Sequence, residues 1–173
     1  MTKRHVVLIG LPGAGKTTVG RLLAEQLKTG FVDIDTVVIR REGKPIGMIF
    51  AEKGEAAFRE MERDAMETAL KQEPAVIASG GGWAAQQGAL ANAKQSAFVV
   101  YMRTRADTAA ERAAPDGTRP LLAGDDPVAR MRALLKERDA AYREAHETVD
   151  TDRKTPAQVA QEVFNLAQTK AGW

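Results

Sequence analysis

The segment Gly10-Leu11-Pro12-Gly13-Ala14-Gly15-Lys16-Thr17 carries the spacing G-x-x-x-x-G-K-T, a cradle for the phosphates of a nucleotide. The residue types explain the chemistry. Glycines let backbone N–H groups turn toward phosphate oxygens with no Cβ in the way, and a helix opening at Lys16 adds the positive end of its dipole. Lys16 would reach the β- and γ-phosphates, and the Thr17 hydroxyl would ligate Mg2+. Acid chemistry lies further on, in Asp33-Ile34-Asp35. Alternation at a strand end would turn Asp33 and Asp35 to one side and Ile34 away. Beside a phosphate cradle, the two carboxylates could serve a metal and a substrate separately. The competing reading is a helix cap, because Asp35 directly precedes a helical pattern over Thr36–Glu42.

Two arginines stand where structure alone has little use for them. Arg138 falls on an apolar helical stripe made by Val128, Met131, Leu135, Tyr142 and Ala145. A guanidinium there is costly unless an anion meets it or its tip snorkels to an edge. Arg59 shares a helix face with Glu62, Met66 and Leu70. Arg59–Glu62 reads either as a surface ion pair of little worth or as an acid that holds Arg59 in one rotamer, aimed at a carboxylate.

The elements that must position these groups are short apolar runs alternating with helical patterns. Strands are expected at His5–Ile9, Phe31–Asp33, Ala75–Ser79, Ala97–Met102 and, weakly, Thr148–Asp150. Helices are expected at Lys16–Lys28, Thr36–Glu42, Pro45–Glu52, Glu55–Gln72, Ala85–Ala93, Arg105–Ala113, Pro127–Ala145 and Pro156–Gln168. Asp126-Pro127 and Thr155-Pro156-Ala157-Gln158 are helix starts, the second with a capping box. Such alternation gives an α/β fold with a parallel sheet covered on both faces. Between Ala114 and Pro127 the rhythm breaks at Pro115, Gly117, Pro120, Gly124 and three aspartates, a composition suited to a loop that acts as a lid.

Composition closes off several chemistries. The chain's 173 residues, 44% of them hydrophobic, suit one domain with a real core. Cysteine is absent and only His5 and His146 carry imidazole, which removes disulfides, thiolate catalysis and Cys- or His-based metal clusters. A net charge of +2 with five phenylalanines, two tyrosines and two tryptophans offers no stacking platform for nucleic acid. No run has the length of a signal segment or a membrane span, so a soluble, cytoplasmic protein is expected; a monomer is expected as well, although nothing in the sequence sets the oligomeric state. The guanine motif N-K-x-D and a D-x-x-G switch are missing, and the strand that in many cradle-bearing ATPases ends in a metal-binding aspartate here runs into Ser79-Gly80-Gly81-Gly82.

Taken together, these residues resemble the shikimate kinase family over nearly the whole chain. Gly43-Lys44-Pro45-Ile46-Gly47-Met48-Ile49-Phe50, followed by Gly54-Glu55 and Phe58-Arg59-Glu60-Met61-Glu62, follows the family's signature. Gly80–Gly82, Arg119-Pro120-Leu121-Leu122, Arg138 with Tyr142, and Val149-Asp150 with Thr155-Pro156 occur in the family's order. The resemblance implies a three-layer P-loop kinase fold in a single domain spanning 1–173, with five parallel strands. It also implies a substrate-binding helical segment at about 33–62 and a lid at about 114–126. The implied reaction moves the γ-phosphoryl of ATP to the 3-hydroxyl of shikimate. Lys16, Asp35 and Arg119 would be catalytic. ATP would be held by Gly13, Ala14, Gly15, Lys16, Thr17, Thr18, Arg112, Arg119, Arg153 and Pro156. Shikimate would meet Asp35, Arg59, Gly80, Gly81, Gly82 and Arg138. Mg2+ would sit on Thr17 directly, and on Asp33 and Ser79 through water. Other readings are a gluconate kinase, or a nucleotide-binding module without catalysis. The family commonly has a small residue where Trp83 stands, so its indole would either narrow the site's rim or pack beneath the next helix.

Overall fold

The computed structural model describes residues 1–113 and 126–173. In chain order the elements are β1 (His5–Ile9), α1 (Lys16–Leu27), β2 (Phe31–Asp33), α2 (Ile34–Glu42), α3 (Ile46–Leu70), β3 (Val76–Ala78), α4 (Ala89–Ala93), β4 (Ala97–Arg103), α5 (Ala106–Ala113), α6 (Pro127–Tyr142), β5 (Glu147–Asp150) and α7 (Pro156–Lys170). The strands form one five-stranded sheet in the order β2-β3-β1-β4-β5, parallel at every pairing.

Strand alternation sorts the core into two layers. Val6, Leu8, Val76, Phe98, Val100 and Met102 face α1 and α7. Val7, Ile9, Ile77, Val99 and Tyr101 face the helices α2 to α6 on the other side. Because both faces are covered, β1 and β4 read as almost unbroken apolar runs. The result is the expected three-layer α/β architecture. Among the described residues, no helix is long and apolar enough to cross a membrane.

Local chemistry accounts for the element ends. The expected caps form: Asp126 accepts from the Ala129 N–H at the start of α6, and Thr155 with Gln158 completes the capping box of α7. The two helices expected at Pro45–Glu52 and Glu55–Gln72 meet as one run, α3, bent at Gly54, whose φ of 83° is a glycine conformation. The helix expected at Ala85–Ala93 is instead a 3₁₀ turn (Trp83–Ala85) and the short α4, separated at Gly88 with φ 77°. Helix α6 ends at Tyr142, three residues before the expected Ala145. Beyond it, His146 is drawn into the sheet, donating its N–H to the Val99 carbonyl and accepting from the Val99 N–H at Nδ1.

Candidate active site

Since all five strands are parallel, the segments that leave their C-terminal ends gather at one edge of the sheet. The cradle leaves β1 there. Gly10, Gly13 and Gly15 have φ of 149°, 81° and 93°. Two of them are also required by close approach. A Cβ on Gly10 would stand 2.7 Å from the Met102 carbonyl, and one on Gly13 would stand 2.3 Å from the Ala109 carbonyl of α5. Helix α1 begins with Gly15 as its N-cap, with no side-chain cap and no acid in its first turn. The positive end of its dipole therefore faces outward for an anion. Lys16 is buried and donates to the Gly10 and Leu11 carbonyls at 2.7 and 2.8 Å, which holds its ammonium over the loop.

A cavity of about 320 Å³ opens above this loop, walled by Gly13, Gly15, Lys16, Thr17, Thr18, Asp33, Asp35, Ser79 and Arg112. The Thr17 hydroxyl donates to Asp33 Oδ2 at 2.6 Å, while Asp33 Oδ1 accepts from the Thr36 N–H. That second bond makes Asp33 the N-cap of α2. Two expectations are corrected here. Strand β2 stops at Asp33, so Asp35 belongs to the first helical turn rather than to an extended strand end, and the capping acid is Asp33 rather than Asp35. Both carboxylates still reach the cavity while Ile34 is wholly buried, because a helix start turns the two acids toward the opening. Ser79 donates its hydroxyl to the Leu8 carbonyl at 3.0 Å, so its oxygen lone pairs can still accept from water at the wall.

The triple glycine is a second hub. A Cβ on Gly80 would lie 1.9 Å from Glu62 Oε2 and 3.1 Å from Asp35 Oδ1. On Gly81 it would lie 2.9 Å from Pro12 and 3.2 Å from Arg138 Nη1, and on Gly82 only 2.4 Å from Arg59 Nη1. None of the three has a positive φ. They are glycines because side chains from α2, α3, α6 and the cradle converge on their backbone. Tyr142 fixes the assembly by donating its hydroxyl to the Gly81 carbonyl.

Arg138 is 5% exposed and reaches the Tyr142 hydroxyl, which settles its position inside the fold rather than at a snorkelling edge. Arg59 Nη1 donates to Glu62 Oε1 at 2.9 Å; Glu62 is 1% exposed and Arg59 half-buried, so the pair is buried at its carboxylate end. Burial pushes the Glu62 carboxyl above its ordinary pKa. Arg59 pulls the other way, more weakly, Asp35 adds to the rise and Arg138 opposes it. Asp35 thus belongs to the cavity over the cradle and to the hollow around the glycines.

A family model described as shikimate kinase matches residues 12–168. A shikimate kinase of Thermobifida fusca is 46% identical over 161 residues, covering 90% of this chain and 90% of that protein. The chain belongs to the shikimate kinase family. The solved shikimate kinase from Acinetobacter baumannii in complex with shikimate superposes with a TM-score of 0.93 at 38% identity, covering 97% of this chain and 94% of that one. A gluconokinase from Sinorhizobium meliloti, at 18% identity and a TM-score of 0.68, shares the fold alone. As a shikimate kinase family member, the chain is an ATP-using kinase.

Against that family assignment, the structure gathers most of the residues singled out in the sequence. Gly13, Gly15, Lys16, Thr17, Thr18, Asp33, Asp35, Ser79 and Arg112 share one cavity, and Ala14 is buried in its loop. Arg59, Arg138 and Gly80–Gly82 form the adjoining hollow. Arg153 and Pro156 do not reach the described cavity wall. They are exposed after β5, with Arg153 in a left-handed turn at φ 61°. Arg119 and the lid up to residue 125 lie outside the described residues. Trp83 is 2% exposed and packs in the core, so it does not narrow the rim.

One residue of the site had no sequence signal. Gln86, half-buried at the end of the 3₁₀ turn, donates from Nε2 to Glu62 Oε1 at 3.1 Å and to the Arg59 carbonyl at 3.4 Å. Its Oε1 accepts from Arg63 Nε at 3.2 Å. It lay inside an expected helix, as an ordinary polar residue.

Proposed function

We propose that shikimate binds in the hollow around Gly80–Gly82, its carboxylate gripped by Arg59 and Arg138 and its 3-hydroxyl turned by Asp35 toward the γ-phosphorus of ATP in the cradle. The observation that carries this is the double position of Asp35. It walls the phosphate cavity with Lys16 and Thr17, and it stands at the Gly80 turn that Arg59, Glu62 and Arg138 also surround. Paired guanidinium groups match a carboxylate with planar geometry that lysine cannot reproduce.

The reaction asks mainly for positioning, because the transition state of phosphoryl transfer is loose. The acceptor oxygen bonds to the γ-phosphorus while the bond to the β–γ bridging oxygen breaks, giving ADP and shikimate 3-phosphate. Asp35 orients the hydroxyl and takes its proton. Lys16 and the N-terminus of α1 stabilise charge on the β- and γ-phosphate oxygens. Arg112 on the cavity wall and, by resemblance, Arg119 of the lid add positive charge, and Arg153 and Pro156 would border the adenine. The oxygen donors present suit Mg2+: the Thr17 hydroxyl would hold it directly and Asp33 and Ser79 through water. When bound, the ion offsets phosphate charge. Every group invoked comes from one chain, which supports a monomer; a cytoplasmic setting and no nucleic-acid partner complete the proposal.

The test is ADP release measured in parallel with shikimate, gluconate and nucleoside monophosphates as acceptors. Shikimate alone should drive turnover. Turnover with gluconate and none with shikimate would overturn the reading.

A further inference from the structure

We propose that Gln86 is a positioning residue for the acid-binding hollow, its side-chain amide holding the Glu62 carboxylate, and through it the Arg59 guanidinium, in the arrangement that grips a substrate carboxylate. This rests on the reading of the hollow as the shikimate site.

The amide sits between α3 and the glycine turn and ties the two together. Its backbone is fixed by a bond from its N–H to the Trp83 carbonyl, and Trp83 is itself buried. Its partners assign the orientation of the amide. Nε2 faces the Glu62 carboxylate and the Arg59 carbonyl, and Oε1 faces the Arg63 guanidinium, so the flipped amide would set oxygen against oxygen and nitrogen against nitrogen. The nitrogen donates to Glu62 Oε1, the same oxygen that accepts from Arg59 Nη1. Gln86 therefore braces the receiving end of the pair that aims Arg59.

Glu62 needs that brace. It is buried, and burial opposes its charge. The charged and titratable groups that face it are Arg59 from its own helix, Asp35 from α2, and Arg138 and Tyr142 from α6. Asp35 repels its charge, while the two arginines are themselves the groups a substrate carboxylate would occupy. The Gln86 amide is a neutral donor that favours the ionised carboxylate without competing with the substrate for it. Arg63, exposed and bonded to the amide oxygen, keeps the amide turned the right way.

Two variants decide the matter, assayed with wild-type enzyme under the same conditions. Gln86→Leu removes the donor, and Gln86→Glu keeps the length while setting a second carboxylate against Glu62. Both should raise KM for shikimate about fivefold or more, with kcat and KM for ATP changed by less than about twofold. The acid limb of the pH profile of kcat/KM for shikimate should also move to higher pH, further in Gln86→Glu, because Glu62 then ionises less readily. Should Gln86→Leu lose its folding transition, Gln86→Glu decides alone. An unchanged shikimate KM with an unmoved acid limb overturns the proposal. So does a loss spread evenly over kcat and both KM values, the signature of a merely structural role. A wild-type enzyme with no shikimate turnover would overturn the functional reading first, and this proposal with it.

Discussion

The phosphate cradle and the acid-binding hollow meet at Asp35 but are built in opposite ways. The cradle is one contiguous loop whose working atoms are mostly backbone N–H groups, held by glycines with positive φ against β4 and α5. The hollow is assembled from side chains of α2, α3 and α6 around a glycine turn with ordinary φ. Contiguous backbone can grip any polyphosphate, so it fixes the class of donor. Side chains brought from separate elements can match one acceptor's shape and charge. Substitutions should therefore damage catalysis or fold when made in the cradle, and acceptor affinity when made in the hollow.

The largest effect is expected at Lys16. Lys16→Ala should lower kcat by about a thousandfold, since it removes a cation from the phosphates undergoing transfer. Steady-state kinetics with shikimate checks this, and a kcat near wild type would break the assignment of the cradle. On the other side, Arg138→Leu should raise KM for shikimate by about a hundredfold while Tm stays level or rises, because an apolar residue of similar volume removes a buried charge from an apolar helix face. A fall in Tm with unchanged KM would make Arg138 a structural residue and erase the contrast.

Glycine substitutions sharpen the contrast further. In Gly82→Ala the atoms nearest the new Cβ would be the end of the flexible Arg59 side chain, at 2.4 Å, and the backbone φ of −96° suits alanine. The expected result is a rise in shikimate KM of about tenfold with little change in Tm. In Gly13→Ala the Cβ would meet the Ala109 carbonyl at 2.3 Å at a φ of 81°. Both the strain and the clash fall on backbone, so Tm should drop by about 5 °C, with weaker nucleotide binding. Thermal denaturation and kinetics on the two variants read the difference directly. Equal effects on Tm would show that the two glycine clusters are not built differently.

The same contrast explains what was legible beforehand. The cradle and the caps at Asp126 and Thr155 are legible because each rests on neighbours within a few residues, whereas the parallel sheet, whose pairings such as His5 with Ala97 are distant in sequence, is legible from the strand–helix alternation. Asp35, Arg59 and Arg138 stand out from residue types and spacing, but only the family resemblance brings them to one place with Gly80–Gly82, since that meeting depends on how α2, α3 and α6 close around the glycines. The Asp33–Asp35 geometry departs from alternation because the strand stops at Asp33, two residues short of Asp35, where the Asp33 side chain caps the next helix. Gln86 was illegible for a related reason. The expected helix is broken at Gln86 itself, whose extended backbone (φ −70°, ψ 139°) ends the 3₁₀ turn, and from there its side chain reaches α3.

The smallest predicted effect probes the cost of building a site from buried charge. The Glu62 carboxyl titrates above its ordinary value of 4.5 in the fold, chiefly through burial. A raised acid pKa means the folded chain holds the proton more tightly than the unfolded chain. Glu62 therefore takes stability away as pH rises from 4.5 through its folded value, and takes none below that window. Glu62→Gln keeps the shape and removes the titration. Without substrate, its Tm should exceed that of wild type by about 1–3 °C at pH 7.5, and the gap should close as the pH is lowered toward 4.5. Thermal unfolding at several pH values measures it. If the variant is instead less stable at pH 7.5 and the gap still narrows toward pH 4.5, the attraction of Arg59 outweighs burial, and the hollow contributes to folding as the cradle's packing does. The expected sign says that the hollow lowers stability in order to keep two guanidinium groups aimed at an acid that is not yet there.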